Sequence, residues 1–113
     1  MPSAALLDFL SLFNQQKYWE AHEALEAEWR LTGSEFLHGL ILYASAWVHV
    51  QRGNRHGVLA QLTKTGTALE RYRPTQNGVN VEELLQTARA MRAALEDDSD
   101  WPRLLALDSR LST

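Results

Sequence analysis

Residues 36–50, Phe-Leu-His-Gly-Leu-Ile-Leu-Tyr-Ala-Ser-Ala-Trp-Val-His-Val, constrain the chain more than any other stretch. Only His38, Ser45 and His49 interrupt the apolar run, which falls short of the roughly 20 residues that span a bilayer. It therefore reads as a buried helix, about 35–52, and not as a membrane segment. A helix that is apolar nearly all round must be covered on several sides by other elements. In a chain of 113 residues those covers have to come from one small domain.

The flanking segments can supply them. Leu6, Phe9, Leu10 and Phe13 recur at spacings of three and four behind a capping Ser3, which predicts a first helix ending near Asn14. A second begins near Lys17 or Tyr18 and runs to about Arg30, before Thr32-Gly33-Ser34 stops it and caps the next. Val58, Leu62, Thr65, Leu69 and Tyr72 mark a fourth helix from about Arg55, with Gly66 placed for a close helix crossing. Pro74 ends it, and residues 73–78 form a loop. Asn80 and Glu83 resemble a capping box opening a fifth helix through Leu84, Leu85, Ala88, Met91 and Leu95. The acidic residues 96–100 read as a solvated turn, after which Trp101 can begin a last helical turn. No segment alternates at period two, so no sheet is expected. The expected fold is all-α: a single domain over residues 1–113, a five-helix bundle of two helical hairpins plus a C-terminal helix.

Composition narrows the functional classes. Apolar residues make up 45% and charged residues 22%, as in an ordinary globular chain, which argues against disorder. A net charge of −3 with scattered Lys and Arg lacks the footprint of a nucleic-acid binder, so no nucleic acid is expected. No cysteine is present, which removes disulfides and thiolate chemistry and suits a reducing cytoplasm. The first residues lack a basic region, so no signal peptide is expected.

The chemistry concentrates in residues 18–30, with two tryptophans, a histidine and four carboxylates within about three and a half helical turns. On a helical wheel Tyr18, Ala21, Leu25 and Trp29 form the buried face. Trp19, His22, Glu23, Glu26 and Arg30 form a strip along its edge. His38, Leu42, Ser45, His49 and Arg52 make a matching stripe on the third helix. If the two helices pack antiparallel, His22, Glu26 and His49 converge, flanked by Glu23, Arg30 and Arg52.

Two imidazoles and a carboxylate suit a divalent metal such as zinc, iron or manganese, which would support a metal-dependent hydrolase or related enzyme. A carboxylate holding a histidine also suits general-base chemistry or ligand binding. The third possibility is a satisfied polar seam between helices. In that seam, loss of His22 would strand a buried carboxylate. Leu12, Phe13 and Trp101 are candidates for an exposed patch that would make a homodimer.

Tyr18-Trp19-Glu20-Ala21-His22-Glu23, Glu26, Trp29-Arg30, Phe36-Leu37, Gly39-Leu40-Ile41, His49 and Arg52-Gly53-Asn54 resemble the signature of the prokaryotic family named domain of unknown function 309 (DUF309). Residues 78–81, Gly-Val-Asn-Val, resemble that family's Gly-Val-Asp-Val element. The resemblance covers about residues 6–95 and implies a small all-helical bundle, without implying a particular activity. Leu42 stands where the resemblance leads one to expect glutamine, a departure that favours the seam. The chain is thus expected to be a non-enzymatic binding or interaction module for a small-molecule or protein partner, with the metal-dependent enzyme as the alternative.

Overall fold

A computed structural model describes residues 2–96 and 100–111. Among the described residues six α-helices follow one another: α1 Ala4–Asn14, α2 Tyr18–Thr32, α3 Glu35–Gln51, α4 Arg55–Leu69, α5 Val81–Glu96 and α6 Trp101–Leu105, with a 3-10 turn, Glu70–Tyr72, closing α4. The expected bundle is present, with the last turn forming a helix of its own. The acidic turn was expected at 96–100; its residues 97–99 lie outside the described residues.

The capping signals at Ser3, Ser34 and Asn80 act as the sequence implies, and Asn54 adds a cap that was not expected. The Ser3 and Ser34 hydroxyls accept from the amides of Leu6 and Leu37, at 3.1 and 3.2 Å. Asn54 and Asn80 do the same for Gly57 and Glu83, at 3.0 and 2.9 Å. Each cap satisfies one of the amides that a helix start leaves without an internal partner. Gly33 ends α2 in the left-handed region, at φ 65°, which glycine adopts without a Cβ penalty.

All six helices feed one core. Phe9, Phe13, Leu25, Leu40, Tyr43, Val58, Leu69, Leu84, Met91, Leu95 and Leu104 are fully buried in it. Helix α3 lies between α2 and α4 and buries eleven of its residues, as its apolar circumference requires. Only His38, Leu42, Ser45 and His49 on its 38–49 span reach partial exposure on one stripe.

Two expectations are corrected. Residues 75–80 form a minimal antiparallel hairpin instead of an irregular loop, pairing Thr75 with Asn80 and Gln76 with Val79. Asn77 and Gly78 both take positive φ, 49° and 80°, which is the backbone that a tight hairpin turn demands. The close helix contacts also lie elsewhere than at Gly66, around whose Cβ position there is open space. A Cβ on Gly39 would collide with Leu69 of α4, and one on Gly57 with the His49 ring. The two glycines let α3 and α4 approach closely.

Candidate functional site

Helices α2 and α3 are joined by only Gly33 and Ser34, so they run antiparallel and bring the start of α2 beside the end of α3. At that end, the Trp19 ring stacks on His22 at 5.2 Å with an interplanar angle of 17°. The Arg52 guanidinium lies 5.8 Å from the same indole, within cation–π range. Trp19 nevertheless stays 49% exposed. At the far end of the seam, Trp29 and His38 stack almost in parallel, 4.5 Å apart. The outer α2–α3 seam is therefore bracketed by two Trp–His stacks.

The polar residues between these stacks do not converge as the sequence spacing suggests. Glu26 is ion-paired within its own helix to Arg30, one turn on. Glu23 is exposed. His49 turns toward α4, where the absent side chain of Gly57 makes room for its ring. There its Nδ1 meets the Asn54 amide nitrogen at 3.2 Å, while the Asn54 backbone amide donates to the His49 carbonyl at 2.9 Å. The Asn54 Oδ1 meanwhile accepts from the Gly57 amide at 3.0 Å, so one carboxamide serves both the α4 cap and the His49 ring.

The expected metal trio His22, Glu26 and His49 is therefore not assembled. Among the described residues no group of three or more His, Cys, Asp or Glu side chains is arranged to hold a metal ion. The physical reason is that α2 and α4 compete for the α3 stripe. Arg52 goes to Trp19 on α2 and His49 goes to the Asn54 cap of α4. No step through a metal follows from these residues.

What remains at the seam is an unsatisfied imidazole. The Nδ1 of His22 is buried and has no hydrogen-bond partner. A buried polar atom in that condition costs stability unless a ligand or partner completes it. Loss of His22 strands no carboxylate, because Glu26 keeps Arg30. The expected dimer patch is also corrected, since Phe13 is fully buried and Leu12 and Trp101 pack against the core.

Three further groups escape a reading by motif. The Tyr43 hydroxyl, the Trp47 Nε1 and the Gln61 Oε1 are buried without an ordinary hydrogen bond. Burial pushes the Tyr43 hydroxyl far above the usual tyrosine range, with the nearby Trp47 and Thr87 side chains partly offsetting the shift. Burial also raises Tyr18, opposed by its hydrogen bond with Ser109. Tyr43 and Trp47 sit one turn apart in a run whose apolarity hides their polar ends.

A family model described as "Domain of unknown function (DUF309)" matches residues 6–60, from α1 into the first turns of α4. The matched span contains both walls of the seam and the Asn54 cap. No curated protein matches the chain.

Proposed function

We propose that this chain, which belongs to the DUF309 family, is a non-enzymatic binding or interaction module whose contact face is the outer α2–α3 seam. The observation that carries the reading is Trp19, a half-exposed indole in contact with both the Arg52 guanidinium and the His22 ring. Tryptophan and arginine are the residues that most often supply the dominant contacts of an interface. A large ring fixed in place loses little conformational freedom on binding. Glu23, Glu26 and Arg30 supply a charged rim, and the buried His22 Nδ1 supplies a polar group that a partner can complete.

The partner that fits this face is a protein surface, and the first candidate is a second copy of the chain. His49 serves the fold through Asn54 and is not part of the contact. The absence of cysteine and the lack of any helix among the described residues long and apolar enough to cross a membrane support a place in the cytoplasm.

Sedimentation equilibrium from micromolar to millimolar protein tests this reading. Concentration-dependent association that Trp19→Ala removes, with the thermal midpoint unchanged, supports it. Association indifferent to Trp19, or a monomer throughout, counts against it. A stoichiometric zinc or manganese ion whose binding depends on His22 and Glu26 would favour the metal-dependent enzyme instead.

A further inference from the structure

Helices α4 and α5 lie side by side without filling the space between them. Gly66 of α4 has open space where a side chain would stand, and the gap is a cleft of about 310 Å³. The buried Leu62, Leu85 and Ala88 give it an apolar floor. Arg89 and Arg92 line it from α5, and Thr63 and Thr67 from α4. Residues three apart on a helix share a face, which puts both guanidiniums over the same cleft. No residue of α2 or α3 lines it, so it is separate from the α2–α3 seam.

These arginines do not close ion pairs of the fold. Arg92 donates to the Thr63 hydroxyl oxygen at 2.9 Å, which ties its guanidinium across from α5 to α4. Arg89 makes no hydrogen bond or ion pair among the described residues. The nearby carboxylates are spent elsewhere. Glu70, which also lines the cleft, is held by Arg73 at 2.6 Å. Glu82 feels the Arg89 charge but gives both its oxygens to Arg73, at 2.5 and 2.8 Å. Three guanidiniums against two carboxylates leave a positive charge here, on a chain whose net charge is −3. The threonines cannot hold an anion in place of the arginines. Their hydroxyl protons go to the carbonyls of Leu59 and Thr63, at 3.1 and 3.2 Å, so their oxygens only accept.

We propose that the α4–α5 cleft binds a small phosphate monoester, with Arg89 and Arg92 on the phosphate and the organic body on the apolar floor beside Gly66. Guanidinium forks match the spacing of phosphate oxygens. A monoester carries about −1.5 to −2 at neutral pH, and it sets more charge and more acceptor oxygens against the pair than a carboxylate does. The floor gives the body a surface to cover, which inorganic phosphate lacks. The size of the cleft bounds that body. At the lower limit of ligand sites, about 300 Å³, there is room for one ring or a short chain and none for a dinucleotide. Gly66 keeps that room open, because any longer side chain there would project into the cleft.

The test titrates the full chain with phenyl phosphate, inorganic phosphate and benzoate at about 0.15 M salt, read by backbone-amide NMR shifts. The expected result is saturable shifts at Gly66, Arg89 and Arg92, with phenyl phosphate about tenfold tighter than either other probe. Arg89→Gln and Arg92→Gln should each weaken phenyl phosphate about tenfold. Gly66→Leu keeps both charges but fills the cleft, and should bring phenyl phosphate down to the level of inorganic phosphate. If Gly66→Leu fails to fold, the two arginine variants decide alone. No saturable shift at these residues, or phenyl phosphate binding indifferent to both arginines, overturns the proposal. Equal affinity for phenyl and inorganic phosphate also overturns it, since the pair is then a surface charge without a cleft. Benzoate binding as tightly as phenyl phosphate overturns the assignment to phosphate.

Discussion

Helix α3 faces α4 on one side and α2 on the other, and the two seams treat their polar groups in opposite ways. Against α4, Gly39 and Gly57 bring the backbones close, and His49, Asn54 and the Gly57 amide close a hydrogen-bonded set. Against α2, Trp19 is half-exposed and the His22 Nδ1 is buried without a partner. A closed polar set holds a fold together, whereas one left incomplete invites an external partner. The two histidines of the expected trio, His22 on α2 and His49 on α3, thus have different roles, and the helix that each one faces decides which.

The sharpest way to break the closed seam is Gly39→Ala. The new Cβ meets Leu69, itself fully buried and unable to swing into solvent, so urea unfolding should show a loss of about 2 kcal/mol. Next, Asn54→Ala removes both the α4 cap and the partner of His49, and a loss of about 1 kcal/mol is expected in the same assay. Gly66→Ala sharpens the contrast by its sign. With open space at that Cβ and a helix interior around it, a gain of about 0.5 kcal/mol in stability is expected. At the open seam, His22→Leu removes an unsatisfied nitrogen at the expense of one aromatic stack, and its thermal midpoint should correspond to a change within about 0.5 kcal/mol. A loss well above that would mean that His22 supports the fold as His49 does.

The helices were legible in the sequence because their signals are local. Ser3, Ser34 and Asn80 each cap the helix that their position implies. The hairpin at 75–80 was missed although Asn77-Gly78 is a turn signal, because two-residue strands are too short to alternate. The site was legible only by location. Helical spacing places His22, Glu26 and His49 on facing stripes, yet it does not say that Arg30 takes Glu26 or that Gly57 opens a seat for the His49 ring. Those outcomes depend on how three helices share one stripe, a tertiary competition that no single helix encodes. The expected close crossing at Gly66 failed for the same reason. A glycine marks where backbones can approach, and packing chose Gly39 and Gly57. The docking of residues 107–111 was hidden because Asn14 and Leu111, which hydrogen-bond, are 97 positions apart.

The contrast between the seams is tested most directly by sedimentation equilibrium on wild type, Asn54→Ala and Trp19→Ala, with a thermal melt on each. The account predicts that Asn54→Ala melts lower but associates like wild type, while Trp19→Ala melts like wild type and stays monomeric. Association of Trp19→Ala indistinguishable from wild type would contradict the assignment of the α2–α3 seam as the contact face.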